Sequence, residues 1–184
     1  MATIFTIGYE QATQPSLVEA LQHAKVDLLA DIRYLPLSRR PGFSKSSLKA
    51  AVEEAGIAYR HFRHLGTPAD GRAAARRGDH ASLARIYSGQ LELPEAMAQM
   101  GELRSLAEHR RVALLCYERD AAECHRSLLY DVLFHDFERT DYCRSSSRRN
   151  WASEPSPIPR PGTCARRSGR RLSPRTPRRY HAAK

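Results

Sequence analysis

Four short apolar runs alternate with helical patterns over roughly the first 140 residues, and this alternation restricts the chain to very few folds. TIFTIGY (Thr3–Tyr9) is β-branched and aromatic and stops at Gly8, so it reads as a buried strand. VDLLADIR (Val26–Arg33) is the second run and RVALLCY, ending at Cys116 and Tyr117, the fourth. These three lack strict two-residue alternation, as strands buried on both faces do. IAYRHFRHLG (Ile57–Gly66) is more polar and belongs nearer a sheet edge. The order β-α-β-α-β-(α-α)-β-α predicts an α/β fold: a mainly parallel sheet with flanking helices, right-handed crossovers, and strands one, two and four adjacent.

The helices read less evenly. SLVEALQHA places Leu17, Val18 and Leu21 at helical spacing. FSKSSLKAAVEEAG starts at an N-cap, Ser44 or Ser46, and stops at Gly56. TPADGRAAARRGDH is polar and rich in Gly and Arg and reads as a long loop. Helical patterns follow around Leu83–Leu91 and Pro94–His109. DAAECHRSLLYDVLFHDF forms the last helix, with Leu129, Leu133 and Phe137 on one ridge. Asp120 and Glu123 resemble a capping box, which would set Cys124 in its first turns.

Charge divides the chain in two. Residues 144–184 hold twelve Lys and Arg against one acid, a net of +11. The remainder holds 18 basic and 19 acidic groups, a net of −1, so the overall +10 belongs to an appendage. Residues 1–142 are read as a single α/β domain. Residues 143–184 are read as a disordered tail of Arg, Ser and Pro, too poor in aliphatic side chains to offset chain entropy. Four cysteines in 184 residues make no disulfide framework, no stretch approaches the ~20 apolar residues of a membrane span, and MATIFTIGYE has no secretory character. The expectation is a cytoplasmic protein with reduced thiols and no membrane partner; its oligomeric state is left open.

In a parallel sheet, ligands bind at the carboxyl ends of the strands. Those ends carry Gly8, Tyr9 and Glu10; Asp31 and Arg33; His64, Leu65 and Gly66; and Cys116, Tyr117 and Glu118. The loop YLPLSRRPGF adds Arg39, Arg40 and Gly42, guanidinium groups on a stiff loop that suit a phosphate or carboxylate. A solvated basic turn would look the same. Cys124, His125 and Arg126 sit at a helix start, where the dipole favours a thiolate. A buried Cys116 is equally well explained as core. Metal is set aside: Cys116, Cys124 and His125 offer three ligands with Cys143 a distant fourth, there is no close CxxC pair, and Cys124 and His125, adjacent on a helix, would point to different faces. No Gly-rich nucleotide fingerprint follows any strand, so no cofactor is expected.

TIGYE, LLADIRYLPLSRRPGF, AGIAYRHFRHLG and ALLCYERDAAECHRSLL together resemble the bacterial domain of unknown function 488 family, over residues 3 to about 137. The resemblance implies an α/β fold without naming a reaction. Its motif positions here are Gly8, Tyr9, Asp31, Arg33, Pro36, Ser38, Arg39, Pro41, Gly42, Phe43, Gly56, Tyr59, Leu65, Gly66, Cys116, Glu118, Cys124, His125 and Arg126. Such proteins usually add a short strand after the CHR helix. Here DFERTDYC runs at once into the basic tail, which suggests a frameshifted reading and puts that strand in question.

The leading expectation is an enzyme with an anion site for a phosphate-bearing small molecule or a nucleic-acid end. Tyr9, Arg33, Arg39, Arg40, Gly42 and Arg126 would bind the anion; His125 or Glu118 would move a proton; Cys124 or Cys116 would act as nucleophile. Arg33, Glu118, His125 and Arg126 are expected to meet in one crevice. The alternatives are a non-catalytic nucleic-acid-binding module using the tail, and a small-molecule sensor with a vestigial pocket.

Overall fold

The computed structural model describes residues 2–142. Its sheet has five parallel strands in the order β3-β2-β4-β1-β5. They are β1 (Thr3–Gly8), β2 (Leu28–Asp31), β3 (Ala58–His61), β4 (Val112–Cys116) and β5 (Glu138–Tyr142). The helices are α1 (Gln14–His23), α2 (Lys45–Glu54), α3 (Ala69–Arg76), α4 (His80–Leu91), α5 (Pro94–His109) and α6 (His125–Leu133). Strands one, four and two are adjacent, as the apolar runs require, and β3 is an edge. No helix among the described residues is long and apolar enough to cross a membrane.

Every residue of β4 is buried, because both faces are covered. Phe5, Ile7, Leu29, Ala113 and Leu115 pack under Leu17 and Leu21 of α1 and Leu48 and Val52 of α2. Ile4, Leu28, Ala30, Ile32, Val112 and Leu114 face Tyr87 of α4, Leu103 of α5 and Leu129 of α6. Successive strand residues therefore serve opposite layers. The chain leaves β1 over the α1 layer and leaves neighbouring β4 over the α6 layer, so the crevice outside those two strand ends is a topological switch point.

Four elements differ from the sequence expectation. The polar segment expected to be a loop contains α3; Ala and Arg favour helix, and Gly78 at φ +70 ends it. The third strand stops at His61 and continues as a 3-10 turn, Arg63–Leu65. A fifth strand does form after α6, inside ERTDY, pairing with β1 from Thr3↔Glu138 to Ile7↔Tyr142. The last helix is split: Ala121–Glu123 is a separate 3-10 turn, capped by Asp120 through its side chain to the Ala122 N–H at 2.9 Å. Cys124 is thus the N-cap of α6, not a residue of its first turn. Ser44 is the N-cap of α2, although its side chain makes no capping bond. The expected disorder of the basic tail concerns residues 143–184, outside the described residues.

Candidate functional site

Cys116 closes β4 and points into the α6 layer. The loop after it turns back through the 3-10 turn so that α6 begins directly above it. Gly8 makes this possible: a Cβ there would lie 1.9 Å from the Glu118 carbonyl oxygen, so only glycine lets the loop cross the end of β1. Arg126 ties the loop down, donating to the carbonyls of Glu118 and Arg119. Ser127 Oγ adds a bond to the Ala121 carbonyl at 2.5 Å.

The N-cap position turns Cys124 back toward His125. Its backbone is extended (φ −131, ψ 152), whereas a helical residue would have splayed the two side chains apart. His125 Nδ1 lies 3.6 Å from Cys124 Sγ and 3.6 Å from Cys116 Sγ. The reason for expecting poor chelation therefore does not hold. Cys116 Sγ donates to Glu118 Oε2 at 2.8 Å. His125 Nε2 is 3.1 Å from the Ile32 carbonyl, which can only accept, so Nε2 carries a proton and a neutral ring turns its Nδ1 lone pair to the sulfurs. The Tyr87 ring packs 5.1 Å from the imidazole and donates its hydroxyl to Leu65 at 2.7 Å. Cys116, Cys124, His125 and Arg126 are buried; Glu118 is half-buried.

Burial penalises every charge here, and the groups answer one another. Burial pushes the Cys124 thiol up, but the Cys116 thiol, His125 and Arg126 outweigh it and hold Cys124 well below the usual thiol range. Burial, then the neighbouring Cys124 and Glu118, push Cys116 well up. Burial, then Cys124, also raise Glu118. Burial lowers His125, yet the adjoining Cys124 and Glu118 leave it raised. Cys124 is thus the thiol more easily ionised, and Cys116, which donates to Glu118, the one that holds its proton.

Arg33 does not join this cluster, contrary to expectation. It stands on the opposite face of the sheet with Asp31, because Ile32 between them takes the α6 side. Its Nε and NH2 grip Asp31 at 2.8 and 2.5 Å, and its NH1 donates to Tyr9 Oη at 3.1 Å and the Phe43 carbonyl at 2.8 Å. Four of the five N–H groups of that guanidinium are taken by the protein, which leaves little for an anion. Tyr9 stacks on Phe43 with centroids 4.5 Å apart. Arg40 donates to the Ala12 carbonyl at 2.7 Å, and Arg39 is exposed. Gly42, at φ +84, turns the loop so that its carbonyl accepts from Gln14 at 2.7 Å. Of these, Arg40, Gly42 and Phe43 line a groove with Thr13 and Pro15, and none of the thiols does.

Two contributors lie outside the expected binding and catalytic residues, Tyr59 as a motif position with no role assigned and Ile32 with no signal at all. Tyr59 donates to Asp31 Oδ2 at 2.6 Å and completes the Arg33 network. Ile32 contributes only a carbonyl, which no side-chain pattern reveals. The Arg33 N–H also donates to Asp31 Oδ1 at 3.1 Å. The amide between Ile32 and Arg33 thus faces one network with its oxygen and the other with its nitrogen.

A family model described as "Domain of unknown function DUF488" matches residues 14–133, which takes in three of the four motif blocks; TIGYE lies before it. No curated protein matches the chain, and no solved structure does.

Proposed function

This chain belongs to the DUF488 family, and we propose that it is an enzyme whose centre is the Cys116–Glu118–Cys124–His125–Arg126 cluster, acting on a substrate with an anionic group such as a phosphate. Arg126 carries this reading. It is 1% exposed, and its Nε has no hydrogen-bond partner among the described residues. A buried cation left short of partners is costly. It lies in the first turn of α6, whose N-terminus adds positive partial charge, beside the switch-point crevice. An anion arriving there satisfies both. Glu118, the half-buried member, marks the side of entry.

The roles follow from reach. His125 Nδ1 stands near both sulfurs and is placed to move a proton for either. Cys124, at the helix N-terminus, is the better nucleophile of the two. Arg33 has no part in this; its work is to hold Asp31, Tyr9 and the Phe43 loop together.

The test pairs binding with turnover. Thermal shift and product analysis are run over phosphate monoesters, nucleotides and carboxylates. An anion should raise the melting temperature of the native chain; Arg126→Ala should weaken that ligand by about 1–3 kcal/mol, the scale of a charge-assisted hydrogen bond. His125→Asn should keep binding and lose turnover. If no anion distinguishes the native chain from Arg126→Ala, the reading fails.

Charge separation favours a second reading, a nucleic-acid-binding module. The +11 of residues 144–184 would supply salt-sensitive phosphate contacts.

A further inference from the structure

Four side chains with metal-ligating atoms meet at one point. The donor atoms of Cys116, Glu118, Cys124 and His125 all lie within 4.8 Å of one another. Zinc bonds of about 2.3 Å to sulfur and about 2.0 Å to nitrogen put tetrahedral neighbours roughly 3.5 Å apart. The two sulfur-to-Nδ1 separations are both 3.6 Å, so Nδ1 already stands at the distance of a tetrahedral neighbour from each sulfur.

The surroundings fit as well. A ligating histidine characteristically gives its other ring N–H to a carbonyl or carboxylate, which fixes ring and tautomer. His125 does this through Nε2 to the Ile32 carbonyl, leaving Nδ1 for the metal. Two thiolates and a carboxylate around a divalent ion carry a net charge of −1, and the buried Arg126 guanidinium cancels it. The fixed ligands come from a strand end, a helix N-cap and the first helical residue, three positions with little freedom. A sulfur-and-imidazole donor set selects zinc-like ions over magnesium or calcium.

We propose that Cys116, Cys124, His125 and Glu118 bind one divalent ion of the zinc class, with Glu118 as the exchangeable ligand. On binding, the ion displaces the proton on Cys116 and the one held between Cys124 and His125 Nδ1, and both pass to solvent. Glu118 lies toward the crevice, so its departure would open a coordination position where an anion could enter. This goes beyond the enzyme reading: the ion would engage Cys124 Sγ and His125 Nδ1, so the nucleophile and proton-transfer roles proposed above belong to the metal-free chain, and the ion would bind whether or not any substrate turns over.

The probe is Co(II), added to the full chain after chelation under reducing conditions. One equivalent should bind per chain, with near-ultraviolet thiolate-to-cobalt charge transfer and the strong visible bands of a tetrahedral centre. Cys116→Ser and Cys124→Ser should each remove most of the charge transfer. Glu118→Gln should keep cobalt and shift the visible bands. Cys143→Ser and Cys164→Ser should change nothing. The native chain supplies a measurement free of folding concerns: chelation should lower its melting temperature and one equivalent of zinc should restore it. No thiolate band and no zinc-dependent melting shift in the native chain would overturn the metal site, as would a band lost in Cys143→Ser or kept in Cys124→Ser. A metal-loaded chain that turns nothing over would leave this site standing and remove only the enzyme reading.

Discussion

Asp31 and Arg33 stand two residues apart on one face of the sheet and close a buried ion pair at 2.5 Å. Their value lies in being a pair. Removing one partner strands the other's charge in the core, at a cost of about 3–5 kcal/mol. Arg33→Met should lose stability on this scale in urea unfolding. Asp31→Asn combined with Arg33→Met should lose less than Arg33→Met alone. Equal losses would mean that Tyr9 and the Phe43 carbonyl, rather than Asp31, set the worth of Arg33.

Tyr59 gives this network a pH signature. Burial, then the Asp31 charge and its hydrogen bond, push the phenol up, against a smaller opposing effect of Arg33. The folded state therefore favours the neutral phenol. The stabilisation is fully present below the ordinary tyrosine value of about 10 and is lost as pH rises through the higher folded value. Guanidinium unfolding between pH 8 and about 11 should show declining stability, with a shallower decline in Tyr59→Phe. At neutral pH the same variant should be weaker by about 1–3 kcal/mol, because Asp31 loses a donor.

Gly8→Ala should strike the thiol cluster from outside it. The added methyl meets the Glu118 carbonyl, a backbone atom that cannot swing aside, so the loop over β1 must move. The expected loss is about 1–3 kcal/mol, the usual scale of overpacking. The chain should also behave like Glu118→Gln in the cobalt spectrum. A visible spectrum unchanged from the native chain would show that the loop yields without moving Glu118.

A chain ending at residue 142 should keep its melting temperature, since it retains all five strands of the described sheet and the removed sequence has little apolar surface to bury. It should lose any salt-dependent affinity for DNA or RNA. Retention of a steep salt slope would move the nucleic-acid reading from the tail to the domain.

The legible parts of the fold were those whose pattern is local and apolar. Helix α5 begins at Pro94 and ends at His109, as its N-terminal proline and periodicity indicate. β5 was obscured because ERTDY is mostly polar; as an edge strand it is held by its bonds to β1, the Thr6 bond to Asp141 at 2.8 Å and the packing of Tyr142 on Phe5. α3 was obscured because the residues it buries, Gly71 and Ala74, are small and leave no hydrophobic stripe. At the site, Cys116 through Arg126 lie within one short stretch, so their gathering could be anticipated. The face taken by Arg33 depends on the register Asp31↔Leu115 between strands distant in sequence, which no local pattern encodes.

The amide joining Ile32 to Arg33 has a consequence for how the two faces communicate. Its oxygen holds the imidazole of the thiol cluster, and its N–H holds the carboxylate of the ion pair. A peptide group is planar and moves as a unit, and hydrogen bonds in series polarise one another. A change of charge on His125 should therefore reach Asp31 across a single amide, with no helix or loop as intermediary. Perturbing the ion pair by mutation should tune the cluster, and loading the cluster should alter the ion pair, as reciprocal coupling between sites requires. The sheet that separates the two layers also joins them at this one peptide.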